Sequence, residues 1–347
     1  MTVQPDYAAF AEAYDAGRAQ VAWTTLVADL ETPVSAMLKI AGGRPWSFLL
    51  ESVEGGAQRG RYSIIGLKPD LIWRCRGNRA EINRRARFDA HAFEAVPGGT
   101  LDSLRALVAE SRIELPEGLP PMASGLVGYM GYDMVRLIER IPDKNPDPLN
   151  LPEGMFLRPT VMAIFDSVLD VVTVVTPVWP QAGHDARSAY NLACERIADV
   201  MADFDRAVPH SGEGPADLTR LPEPKSNTTR AEYHAMVEKA KAYIAAGDAF
   251  QVVPSQRFSA PFALPPFALY RALRRTNPSP FMFFLDFDDF AVVGSSPEIL
   301  VRLPEGKVTT RPIAGTRKRG ADAAEDARLA AELLADPLRL DLDVESG

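Results

Sequence analysis

Apolar residues recur at two periods along this chain. Spacings of three and four place Ala193, Ile197, Val200, Met201 and Phe204 on one face, which predicts a helix over residues 186–204. The same spacing predicts helices over 34–40, 101–110 and 266–276, and a short Ala-rich one over 6–18. Thr229 and Glu232 form a capping box ahead of Tyr233, Met236, Val237, Ala240, Tyr243 and Ile244, with Gly247 as the stop. Shorter apolar runs predict strands at 22–30, 47–52 and 61–65. A hairpin is expected over 71–87, turning at Gly77-Asn78, and its arginines are expected to form a solvated strand face. A second joins 160–165 to 168–176 through Asp166-Ser167, after a Pro-rich surface loop at 142–159. Residues 248–253 read as a strand leading to 255–258, with Pro254 marking an edge or a bulge.

The later chain is organised around residues 281–320. Runs at 281–285, 290–293 and 299–303, followed by 307–310, read as an antiparallel meander. Glu298 then sits at the mouth of one turn, and Gly315 with Thr316 offers bare backbone and a hydroxyl past the next strand. A small anion would fit there.

Composition narrows the class. The 347 residues are 46% hydrophobic and 24% charged, as in an ordinary globular enzyme with ample material for a core. A net charge of −8 argues against non-specific nucleic-acid or anionic-membrane binding. No apolar run reaches the roughly 20 residues that span a bilayer, and residues 1–10 lack the order of a secretory signal, so cytoplasm is the expected compartment. Cys75 and Cys194 are expected as free, largely buried thiols, and the four histidines are scattered. Gly55, Gly56 and Gly60 fit a hairpin better than a phosphate loop, since no helix opening with Lys-Ser/Thr follows. The glycines of Gly125 to Asp133 do not follow a continuous apolar strand, against a dinucleotide fold.

Three blocks carry a family resemblance: Asn277-Pro278-Ser279-Pro280-Phe281-Met282, Ser296-Pro297-Glu298, and Pro312-Ile313-Ala314-Gly315-Thr316-Arg317. In order and at close spacing they resemble the chorismate-binding segment of anthranilate synthase component I. Leu49-Leu50-Glu51-Ser52 and the glycine-tyrosine block at 128–133 extend the resemblance from about Val21 to Pro337. It implies an α+β chorismate-utilising-enzyme fold, with antiparallel β-sheets packed face to face and helices outside. It also implies an N-terminal domain over 21–206, a partial chorismate-binding domain over 228–337 and an atypical tail over 338–347, while the Pro-, Gly- and Glu-rich stretch 207–227, with few apolar residues, reads as the linker.

The implied reaction converts chorismate and ammonia, drawn from glutamine on an amidotransferase subunit (component II), to anthranilate and pyruvate, with Mg²⁺ on a substrate carboxylate. Carried over residue by residue, Glu298 becomes the general acid for the C4 hydroxyl, with a carboxyl whose pKa is raised by partial burial beside substrate and metal, and Gly315 with Thr316 holds a substrate carboxylate. Ser52, with Glu51 beside it, and Pro280, Phe281 and Met282 become the pocket for L-tryptophan as inhibitor, Phe281 standing where a tyrosine is expected. Ala314 and Gln251 stand where aminodeoxychorismate and isochorismate-forming relatives carry a lysine, which disfavours those chemistries. The family's Mg²⁺ ligands and several further substrate contacts lie beyond the block ending at Pro337. No residue here is assigned to the metal, and the polypeptide alone is expected to lack synthase activity and to fold poorly. A non-catalytic tryptophan-binding fragment is the alternative from another class.

Overall fold

The computed structural model describes residues 2–53, 60–120, 122–209, 223–310 and 318–335. Helix α1 (Tyr7–Asp15) begins where the Asp6 carboxylate accepts from the Ala9 N–H. Strand β1 (Gln20–Val27) follows, and α2 (Pro33–Ile40) opens on a capping box between Thr32 and Ser35. Next come β2 (Ser47–Glu51) and the long β3 (Tyr62–Arg76), which turns at Gly77-Asn78 into β4 (Arg79–Asn83). Gly77 holds φ +51° in that turn, a conformation open to glycine at little cost. After β5 (Glu94–Val96), α3 (Thr100–Glu110) and β6 (Val127–Met130), strands β7 (Gly154–Asp166) and β8 (Val171–Val178) form the second hairpin. Helix α4 (Ala186–Phe204) spans the residues its spacing predicts.

Beyond it lie β9 (Lys225–Ser226), α5 (Arg230–Ala246), β10 (Phe258–Ser259) and α6 (Pro266–Thr276). Strands β11 (Phe281–Asp286) and β12 (Ala291–Ser296) and helix α7 (Ala323–Leu334) complete the described elements. Gly247 ends α5 at φ +82°, as its stop signal requires.

Ten strands form one antiparallel sheet whose spine runs β1-β8-β7-β3-β2-β11-β12, with β4, β5 and β6 attached at the far ends of β3 and β7. The α+β class and antiparallel pairing agree with expectation. Because β11 pairs with β2, strands from residues 21–206 and 228–337 share this sheet. Successive residues on the central strands enter opposite cores. Leu49, Ile65, Ala163 and Val174 pack on the side of α1, α2, α4 and α6, while Phe48, Ile64, Ile164 and Val175 pack on the other. Burial on both faces explains why these strands read as continuous apolar runs.

Three expectations change. The 142–159 loop is shorter, since residues 154–159 already belong to β7. Pro159 stands opposite Pro69 where the β3–β7 register shifts, so neither proline interrupts a regular ladder. No strand forms over 248–257; Phe258 and Ser259 alone pair, with Ser226 and Lys225. The third arm of the meander is also absent, as 299–310 contains only an isolated Arg302–Thr309 bridge. A strand needs a neighbour to satisfy its backbone groups, and among the described residues β12 is an edge with no strand beyond it.

Candidate functional site

The C-terminal end of β2 and the N-terminal end of β11 meet edge to edge. Met282 stands opposite Glu51 and Phe283 opposite Leu50. The ladder continues past the strands, because the Val53 N–H donates to the Ser279 carbonyl at 3.0 Å. Ser279 Oγ donates in turn to the Ser296 carbonyl at 2.8 Å, and Ser295 Oγ to the Asn277 carbonyl at 2.7 Å. Residues 277–282 are thereby tied both to the 51–53 segment and to the end of β12. The structure brings together Glu51, Ser52, Pro280, Phe281 and Met282, two groups more than 200 residues apart in sequence.

Their surroundings differ. Met282 is buried, Pro280 half-buried and Phe281 exposed. Glu51 is buried but already committed. Its Oε2 accepts from Tyr270 Oη at 2.5 Å and from Arg274 Nε at 2.8 Å, while Oε1 accepts from Arg274 Nη2 at 3.0 Å. Burial, followed by the charge and hydrogen bond of Glu51, pushes the Tyr270 phenol far up, so it stays a donor. For Arg274, burial pulls the guanidinium down and the bonds to Glu51 more than offset it, leaving the net direction up. Glu51 thus anchors α6 to the C-terminal end of β2 and is not free to meet a ligand, which leaves Ser52 as the available polar group of the Glu51-Ser52 pair. Gly60 covers Ser52 so closely that a Cβ there would come within 2.0 Å of the serine side chain.

Tyr270 and Arg274 are not among the residues that the sequence singles out. Both were legible as members of a helix, four residues apart and so on one face, immediately before the 277–282 block. Nothing in the local pattern named Glu51 as their partner.

Glu298 lies two residues past β12, where Ser296 Oγ donates to its carbonyl at 3.1 Å. Its side chain is exposed, and no strand follows the turn among the described residues. Gly315 and Thr316, with Ala314, lie outside the described residues. Gln251 is exposed. The glycine-tyrosine block has a packing role: a Cβ on Gly128 would fall 1.9 Å from the Met155 carbonyl oxygen, and one on Gly131 2.9 Å from that of Glu153. Both glycines let β6 and its extension lie flat on β7.

Both cysteines are free, and burial, then the charge of Glu153, pushes the Cys75 thiol up to about 11, which makes it a poor nucleophile at neutral pH. Among the described residues, no three side chains of His, Cys, Asp or Glu converge as metal ligands. Among them too, no helix is long and apolar enough to cross a membrane.

Residues 68–337 match the profile of the chorismate binding enzyme family. Anthranilate synthase component 1 of Cereibacter sphaeroides is 56% identical over 334 residues, covering 96% of this chain and 67% of that protein. The protein of the same name from Aquifex aeolicus is 40% identical, over 90% of this chain and 62% of its own length. Among solved structures, anthranilate synthase component I of Streptococcus pneumoniae superposes with a TM-score of 0.61 at 27% identity, covering 83% of this chain and 60% of that one. The menaquinone-specific isochorismate synthase of Escherichia coli superposes at 0.55 with 16% identity, covering 94% and 62%, a likeness of fold alone. The chain spans about two-thirds of the length of these relatives, or somewhat less.

Proposed function

From the premise that the chain belongs to the chorismate binding enzyme family, we propose that it is an anthranilate synthase component I polypeptide whose described residues include a tryptophan-responsive pocket. The observation that carries this reading is the β2–β11 seam. It joins the Ser52 segment to the Pro280-Phe281-Met282 segment, the two groups that the resemblance assigns to the effector pocket. An indole suits a wall of Met282, Pro280 and Phe281, and Ser52 supplies a hydroxyl for the amino-acid end. Glu51 acts at one remove, fixing α6 through Arg274.

The activity proposed is that of a lyase, the first committed step of tryptophan biosynthesis: chorismate and ammonia give anthranilate and pyruvate, with ammonia supplied from glutamine by an amidotransferase subunit. The C4 hydroxyl leaves as water only once protonated, and Glu298 is the proposed donor. Its exposure means that bound substrate, or further chain over the turn, must desolvate it before its carboxyl becomes an effective acid. Gly315 and Thr316 are the proposed cradle for a substrate carboxylate. Mg²⁺ would neutralise a second carboxylate in such an enzyme, but among the described residues no three His, Cys, Asp or Glu side chains converge to hold it. The cytoplasm is the proposed compartment.

A second reading is favoured by a specific contrast. The effector-side residues are assembled, whereas Glu298 stands exposed at a sheet edge. A non-catalytic tryptophan-binding protein would look like this. Calorimetric titration with L-tryptophan, followed by anthranilate fluorescence after adding chorismate, Mg²⁺ and ammonium to the same sample, separates the two. Binding with turnover supports the synthase, and binding without turnover supports the second reading. Neither signal, in a sample with a cooperative melting transition, overturns both.

A further inference from the structure

On the far side of β3 and β7 from the β2–β11 seam, the first residues after β4 fold back toward α4. Arg84, Arg85 and Arg87 do not continue a strand face; they follow β4 in a turn and line a cavity of about 970 Å³ with Arg158, Trp179 and Arg196. Arg76 and Arg79 lie exposed on β3 and β4 as the strand-face expectation has it; for Arg84, Arg85 and Arg87, exposed but off the strand, it is corrected. The turn places them so because Asn83 Oδ1 accepts from the Arg85 N–H at 2.8 Å and its amide donates to the Asp89 carbonyl at 2.7 Å.

The cavity's acids are already spent. Asp70 takes two bonds from Arg158, at 2.8 and 2.9 Å, and Glu110 takes two from Arg84, at 2.6 and 2.7 Å. Arg85, Arg87 and Arg196 have no carboxylate partner among the described residues. Two buried donors also lack a hydrogen-bond acceptor there, Arg196 Nε and Trp179 Nε1. Arg196 is fixed on the wall by its Nη1 donating to Thr176 Oγ1 at 3.3 Å, and the Arg158 guanidinium lies 4.2 Å over the Trp179 ring, setting the indole's direction. Burial, and after it the like charge of Arg87, pushes Arg196 down to about 10, so it remains charged at neutral pH. Arg87 and Arg196 lie near enough for their like charges to repel, and an anion between them would relieve that repulsion.

We propose that this cavity is a second binding site, separate from the β2–β11 seam, for a small organic phosphate. Its oxyanion is held by Arg87, Arg196 and the Trp179 indole N–H, and its apolar body lies against Leu192, Ala189 and Phe88. A phosphate fits better than a carboxylate because guanidinium and indole donors arriving from different elements match a tetrahedral dianion, whereas one planar fork would suffice for a carboxylate. The volume exceeds that of inorganic phosphate several-fold, and Leu192, Ala189 and Phe88 give the lining an apolar part beside the arginines.

Calorimetry with phenyl phosphate, inorganic phosphate and benzoate on the whole chain tests this. Phenyl phosphate is expected to bind at one site, more tightly than inorganic phosphate, and at least tenfold more weakly to Arg196→Met. Arg87→Ser, at an exposed side chain whose loss leaves the core intact, is expected to weaken it at least threefold, which keeps the test valid if Arg196→Met fails to fold. Absence of saturable binding, or affinity unchanged in a folded variant, overturns the site. Benzoate binding as tightly as phenyl phosphate overturns the phosphate assignment.

Discussion

Arg274 grips Glu51 through two N–H···O bonds of 2.8 and 3.0 Å, spanning 223 residues of chain, with 1% of the glutamate side chain and 32% of the arginine exposed. This pair, with Tyr270 as a third member, fastens α6 to the sheet at the place where the proposed effector pocket begins. Glu51→Gln keeps the shape and removes the charge, leaving Arg274 half-buried without its counter-ion. The expected loss is about 3 kcal/mol, the low end for breaking a buried pair because Arg274 stays partly solvated. Urea denaturation checks it, and a loss below about 0.5 kcal/mol, the size of an ordinary surface change, would show that the pair is not holding the helix.

Ser52 and Gly60 should act on ligand binding more than on stability. A Cβ at residue 60 would occupy the position of the Ser52 side chain, so Gly60→Ala must displace it. Both Ser52→Ala and Gly60→Ala are expected to weaken L-tryptophan binding at least fivefold in calorimetry. Unchanged affinity in both would remove Ser52 from the pocket.

Gly128→Ala tests the close approach of β6 to β7. The added methyl would lie 1.9 Å from the Met155 carbonyl oxygen, which neither strand can yield without breaking the Gly128–Phe156 register. A loss of about 2 kcal/mol or more is expected from the thermal midpoint. A substitution that costs nothing would mean that β6 does not lie flat on β7.

The cavity's ion pairs give a pH dependence with a definite sign. Hydrogen bonds from Arg84, opposed by partial burial and aided by the charges of Arg84 and Arg158, hold Glu110 below its ordinary value of 4.5. A lowered carboxyl contributes stability that is complete above pH 4.5 and fades as the pH falls through the folded value. The stability gap between the native chain and Glu110→Gln should therefore be constant near neutrality and shrink below pH 4.5. A gap that stays constant down to pH 3, as roughly expected of an unperturbed carboxyl making no folded-state interaction, would contradict the pairing.

How much of this was legible follows from the range of each interaction. Helix α4 and its face were readable because 3.6-residue periodicity is local, and the β7–β8 hairpin because Asp166-Ser167 punctuates β-branched runs. The 248–253 and 299–303 segments misled because strand-forming residues make a strand only beside a partner. Ser52 and Met282 were grouped by resemblance and lie together across the β2–β11 seam. The Glu51–Arg274 pair and the convergence of Arg87 on Arg196 were hidden, since a guanidinium's partner is chosen by tertiary packing across 100 residues or more. Glycines at 128 and 131 announced a close approach without naming its other side.

The most direct measurement is L-tryptophan titration by calorimetry on the purified chain, its cooperative fold verified by melting, with Ser52→Ala measured alongside. Saturable one-site binding that weakens in the variant is the predicted result, with anthranilate fluorescence on the same sample then deciding between synthase and binding protein. A folded chain that gives no saturable heat with tryptophan would contradict the assignment of the β2–β11 seam as the effector pocket.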